Sequence, residues 1–217
     1  MTIVSIETGA EGDLRNVVFS DGSLLSFRTC YLSQVPADTI QPRELDEGEE
    51  DDLRFAAACL GAEKAALQLI ARAEQTVFGL GRKLAKRGHG SACVKTVTAR
   101  LREHGLLDDF RYAGLWLESR ISRQSSSPMR LLASLRAKGI DREDARAAMR
   151  EALDDEAERR LLERFVDKRH GAGRGAGSRH MEDPDLASDE ERRSLKYLLK
   201  SEGFSSTAIE GFLEERH

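Results

Sequence analysis

Aromatic side chains are scarce, at 6% of the 217 residues, with a single tryptophan. That scarcity speaks against a β-rich fold. Charged residues reach 33%, above the roughly 25% usual in globular chains, and together the two figures favour Ala/Leu-cored helices with solvated outer faces. Cysteines are few: Cys30, Cys59 and Cys93 are odd in number and far apart in the chain. This argues against a disulfide framework and against metal-ligand spacing, so all three are expected to be buried or half-buried small apolar residues. No apolar run approaches the roughly 20 residues that span a bilayer, and no charged-then-apolar leader opens the chain. Together these point to a soluble cytoplasmic protein with no membrane partner.

Chemistry-bearing constellations are equally thin. No Walker motif occurs. The five histidines never fall at i, i+4 or beside a cysteine, which leaves no metal site. The run Gly171–Gly177 resembles a phosphate cradle, but a dinucleotide fingerprint needs a strand before it and a helix opening on it. Here a basic helix precedes and a Pro/Asp-containing segment follows, so the run reads as a flexible insert. Ser125-Ser126-Ser127 and the Asp-Asp pairs read as helix caps rather than nucleophiles or paired acids. Trp116 stands at core spacing. No convergent polar set is present, so neither catalysis nor a cofactor is expected.

What the sequence does contain is an internal repeat. Leu80, Leu84 and Gly88 recur as Leu131, Leu135 and Gly139, and again as Leu195, Leu199 and Gly203. In each copy the leucines stack on one helix face and the glycine falls where a helix end needs positive φ. The second interval is longer than the first, and the Gly/Arg/His-rich stretch absorbs the excess. Units this small cannot bury their own apolar stripe, so the copies must stack. The expected fold is mainly α: three tandem three-helix, helix-turn-helix-like repeats in an elongated curved array. A small N-terminal β-meander precedes them over residues 2–28, with Asp21-Gly22 as a hairpin turn.

The expected organisation is a β-rich extension with an acidic linker over 1–50, then repeats at 51–107, 108–153 and 154–217, with the insert near 171–187. Residues 36–52 read as a linker or an acidic helix lead-in. The first repeat is expected to run from Glu63 to Ala73, Thr76 to Arg87 and Ser91 to Glu103. Thr76 and Ser91 are its N-caps, and Leu69, Ile70 and Ala73 form its first apolar face. Gly79 and Gly81 weaken the middle helix by about 1 kcal/mol each against alanine, so it frays unless packing holds it. Ser127-Pro128, Asp141, Ser188 with Glu191, and Ser205 mark later helix starts, and the chain is expected to break at His170.

Charge is divided unevenly. Residues 1–63 carry a net −9, residues 64–150 a net +10 and residues 151–217 a net −5. A basic centre between acidic ends points to a polyanionic or acidic partner. The basic residues that avoid the apolar positions are Arg72, Arg82, Lys83, Lys86, Arg87 and Lys95 in the first repeat. In the second they are Arg111, Arg120, Arg123, Arg130, Arg136 and Lys138. Contacts of this kind supply affinity without reading sequence and weaken with salt.

Three stretches, Leu84–Gly88, Arg100–Ala113 and Leu135–Asp141, resemble the RecX family of regulators of the RecA recombinase. The Gly-Leu-Leu-Asp-Asp-x-Arg-Tyr-Ala run from Gly105 is the most specific. The resemblance is good over 62–153, fair over 154–216 without the insert, and loose over 1–61. Gly79, where the family favours glutamate, and the 171–187 insert depart from the pattern. The resemblance implies a monomer that lies in the groove of the RecA filament on single-stranded DNA and bridges neighbouring protomers. From there it curbs filament growth, ATP hydrolysis, strand exchange and co-protease activity. Two alternatives stand beside it: a sequence-tolerant helix-turn-helix protein acting on single- or double-stranded DNA directly, and an adaptor array without a nucleic-acid role.

Overall fold

The computed structural model describes residues 1–9, 12–36, 40–172 and 189–215. Nine α-helices and one three-stranded sheet lie among these residues, in two compact units, Met1–Asp108 and Asp109–His217.

In the first unit, β1 (Ile3–Thr8), β2 (Leu14–Phe19) and β3 (Leu24–Arg28) form an antiparallel meander in sequence order. The β2–β3 turn is built as its sequence demands. Gly22 takes φ 80°, and the Asp21 carboxylate accepts from the Ser23 N–H and hydroxyl at 2.9 and 2.6 Å. Ile3, Val17, Phe19 and Phe27 are buried on the inner face, which packs on α1 (Glu47–Ile70). That helix decides between two readings and corrects a third. The acidic run Glu47–Asp52 is a helix lead-in, not a linker, started by a reciprocal cap between Asp46 and Glu49. Its buried stripe is Leu53, Ala56, Cys59, Leu60, Ala62 and Ala66. Leu69 and Ile70 are only half-buried, and Ala73 lies exposed beyond the helix end. The local period misled because this helix starts 16 residues before Glu63 and turns its best face to the sheet.

Then come α2 (Val77–Lys86) and α3 (Ser91–Glu103). Thr76 caps α2, its hydroxyl accepting from the Gly79 N–H at 2.9 Å. A Cβ on Gly79 would lie 2.8 Å from that hydroxyl, a local reason for the glycine. Helix α2 holds despite its two glycines because Leu80 and Leu84 are fully buried, at about 2 kcal/mol each, which offsets the propensity cost. Ser91 is not a cap: Gly90 occupies the N-cap position without a side-chain bond, and Ser91 is already helical. Cys59 and Cys93 are buried, but Cys30, in a 3₁₀ turn, is exposed, contrary to expectation.

The second unit holds α4 (Asp109–Arg123), α5 (Pro128–Ala137), α6 (Arg142–Ala152), α7 (Asp155–Ala172), α8 (Asp189–Ser201) and α9 (Ser206–Glu215) around one apolar core. Asp141, Asp154 and Ser205 cap their helices as the sequence implies. Helix α7 runs to Ala172 instead of breaking at His170, so the first two residues of the Gly-rich run are helical. The rest of that run, and Ser188 of the expected capping box, fall outside the described residues.

The three Leu/Gly copies end their helices alike. Gly88, Gly139 and Gly203 take φ 88°, 86° and 89°. In each, the second leucine's carbonyl (Leu84, Leu135, Leu199) accepts from the N–H just past the glycine at 3.2–3.3 Å. The glycine's own N–H closes a shorter loop at 2.9–3.1 Å, so orphan carbonyls are satisfied where the chain reverses. Just before Gly203 the turn docks on α5: Ser127 Oγ caps α5 and donates to Glu202 at 2.5 Å, and Met129 N–H donates to the Glu202 carbonyl at 3.1 Å.

Candidate functional site

The twelve basic residues singled out by sequence divide between the two units. In the first unit Arg72, Arg82, Lys83, Lys86, Arg87 and Lys95 are all exposed. Four of them crowd α2 and its C-cap, a helix with no acid in its first turn and Lys83 and Lys86 in its last, where the helix dipole favours cations. The Arg82 guanidinium lies 5.8 Å from the ring of Phe78, which is itself about half exposed. Lys83 donates to the Gln75 side chain at 2.7 Å. This surface offers cations beside an exposed aromatic face, a combination suited to phosphates and flat π-systems.

In the second unit Arg111, Arg123, Arg130 and Arg136 are exposed, while Arg120 and Lys138 are half-buried. These two are brought together by Tyr112 and by Trp116, which its spacing marks as core. Trp116 packs against the core yet is only half-buried. The Arg120 guanidinium stands 5.2 Å from its ring, and Lys138 Nζ stands 5.4 Å from it and 5.8 Å from Tyr112. Tyr112, Trp116 and Arg120 repeat every four residues along α4, a stripe legible in the sequence. Lys138 arrives from the C-cap of α5, and only the tertiary fold supplies it. Arg142, Arg146 and Arg150, exposed on α6, also lie outside the expected set.

Other polar clusters are structural. Arg28 donates to Asp13 at 2.6 Å and to Glu63 at 2.7 Å, tying β3 to α1. Burial pushes up both the Tyr31 hydroxyl and the Cys59 thiol, which keeps each protonated. Asp52 is buried and accepts from the N–H groups of Ser33, Gln34 and Val35 and from the Ser33 hydroxyl. Burial alone would raise its carboxyl, but these bonds outweigh it and hold the group below the usual range. Among the described residues no group of three or more His, Cys, Asp or Glu is placed to hold a metal ion. No described helix is long and apolar enough to cross a membrane.

Comparison with known proteins assigns the lineage. The family model for the second three-helix domain of RecX matches residues 108–149. Regulatory protein RecX of Treponema pallidum (strain Nichols) is 35% identical over 121 residues, covering 56% of this chain and 74% of that protein. The protein of the same name from Halorhodospira halophila is 39% identical over 119 residues, covering 54% and 71%. The chain belongs to the RecX family. Regulatory protein RecX of Mycobacterium leprae agrees, at 33% identity over 145 residues, covering 66% of this chain and 78% of that protein. A crystal structure of regulatory protein RecX shares the fold, with TM-score 0.68 at 21% identity, covering 99% of this chain and 98% of that one. The RecX structure from Lactobacillus salivarius gives TM-score 0.54 at 18% identity, covering 73% and 96%. These RecX relatives are named as regulators, not for a reaction.

Proposed function

We propose that this chain is a non-enzymatic regulator that binds the RecA–single-stranded-DNA filament. In this reading it lies in the filament groove as a cytoplasmic monomer, its three three-helix repeats spanning neighbouring protomers. It thereby curbs filament growth, ATP hydrolysis, strand exchange and co-protease activity. The observation that carries the reading is the clustering of cations around aromatic rings on both units of a RecX-family chain. Arg82 beside Phe78 and Arg120 with Lys138 beside Trp116 offer charge for phosphates or acidic subunit surfaces. Arg72, Lys83, Lys86, Arg87, Lys95, Arg111, Arg123, Arg130 and Arg136 extend it.

Titrating the protein into a RecA ATPase assay on single-stranded DNA tests the reading. Inhibition is expected at or below one molecule per RecA protomer, and its absence would end the proposal. Reversing Arg120, Arg123 and Arg130 together to glutamate is expected to abolish filament binding with helicity intact. Unchanged affinity would show that the contact lies elsewhere. A helix-turn-helix protein acting on DNA directly would instead bind DNA while leaving the RecA ATPase uninhibited at these ratios.

A further inference from the structure

Helix α6 carries a second cationic feature, separate from the residues assigned above. Arg142, Arg146 and Arg150 are exposed and spaced four apart, so they form one row along the helix. At 1.5 Å rise per residue, neighbours are about 6 Å apart and the row is about 12 Å long. The opposite stripe is fixed, since Ala145 and Ala148 are buried in the core of the second unit. The Asp141 side chain caps the helix by accepting from the N–H groups of Glu143 and Asp144. The row is therefore held on a rigid element. Arg142, Glu143, Arg146 and Arg150 line an open groove of about 400 Å³.

Helix stability does not account for this row. Like charges at i, i+4 repel, and here two such pairs occur in succession. None of the three guanidiniums has a hydrogen-bond or ion-pair partner among the described residues. Three arginines of α7 behave differently: Arg159 meets Glu163 and Glu215, Arg160 meets Glu156, and Arg164 donates to main-chain carbonyls of α4. Nor does the face suit a protein partner, because no large exposed apolar side chain lies on α6. Protein interfaces draw most of their affinity from buried aromatic or aliphatic anchors. A phosphodiester backbone needs only regularly placed cations, and the guanidinium fork grips phosphate oxygens two at a time.

We propose that the Arg142–Arg146–Arg150 row of α6 is a binding site for the phosphodiester backbone of a nucleic-acid strand. The site engages DNA without RecA, so it stands or falls apart from the filament reading. It reads charge and spacing, not bases. Glu143 at the rim limits it to one strand's worth of phosphates rather than a broad basic plate.

The test is fluorescence anisotropy of the full chain with a labelled oligothymidylate and with a labelled duplex of equal length, RecA absent, over a series of salt concentrations. The comparison is with Arg142→Gln/Arg146→Gln/Arg150→Gln, in which glutamine keeps helix propensity and circular dichroism checks the fold. For three contacts the slope of log K against log salt is expected to fall in magnitude by about 2 on single strands, or nearly 3 on duplex. Affinity at low salt is expected to fall at least tenfold, and the steeper loss identifies the preferred form of DNA. An unchanged slope, or no binding by the parent chain at the lowest salt, overturns the site while leaving RecA inhibition standing. Weakened RecA inhibition with unaltered oligonucleotide binding also overturns it, since the row would then dock on protein.

Discussion

Replacing Asp52 by asparagine tests the proposition that one carboxylate pins the segment after the sheet to α1. The two oxygens accept from three backbone N–H groups at 2.8–3.0 Å and from the Ser33 hydroxyl at 2.7 Å. Asparagine keeps one acceptor, and its NH₂ must face either the Ser33 donors or those of Gln34 and Val35. A buried donor left without an acceptor costs about 1–3 kcal/mol, and bonds to a charged acceptor are at the strong end, so two lost partners cost about 3 kcal/mol. With a urea m-value of about 1.5 kcal/mol/M for a unit of this size, the midpoint falls by about 2 M.

The pH dependence follows from the depressed carboxyl. Its contribution is complete above the unfolded value of about 3.9 and is lost as pH falls through the lower folded value. Urea unfolding followed by circular dichroism is therefore expected to show the full gap between parent and variant at neutral pH. The gap is expected to narrow below about pH 4. A midpoint shift under about 0.5 M at neutral pH, or a gap that stays constant into acid, would refute the reasoning.

Further outcomes follow from the helix ends and the aromatic cluster. Gly88→Ala meets open space and suffers only the positive φ, so it is expected to lose about 1–2 kcal/mol by thermal or urea unfolding. Gly203→Ala is expected to lose about as much, because its φ is the same and its added carbon meets Met129 and Pro128 only at ordinary contact distances of 3.4–3.7 Å. A clearly larger loss at Gly203 would show that the turn has no room on α5. Trp116→Leu keeps an apolar plug but removes the ring that holds two cations at about 0.5–1 kcal/mol each. RecA ATPase inhibition is expected to weaken roughly five- to thirtyfold, with modest change in melting temperature.

Local features were legible because their causes are local. The glycine helix ends, the Thr76, Ser127 and Asp141 caps and the Asp21-Gly22 turn each depend on a few adjacent residues, and the structure builds all of them. Misreadings arose where a distant partner decides. Glu47–Asp52 reads as either a linker or a helix lead-in, and the choice falls to contacts the local pattern does not contain: Glu50 meets the chain's amino terminus and Asp52 holds Ser33–Val35. Ser91 has the chemistry of a cap but sits one residue too late, because Gly90 already takes the extended conformation that an N-cap requires. The basic residues could be named from composition. Their grouping around Trp116 could not, since Lys138 is 22 residues away and reaches the ring only through the packing of α5.

The bonds between Glu202 and the start of α5 reach beyond their own geometry. The carboxylate and carbonyl of one residue after α8 complete the N-terminus of a helix that precedes it by some 70 positions. Removing the last two helices would strip α5 of those partners and leave Leu161 and Phe165 of α7 without Phe204 and Phe212 in the shared core. The tail is thus no appendage: because α4 to α9 share one core, they are expected to unfold together, and shortening the chain from the end dismantles the middle.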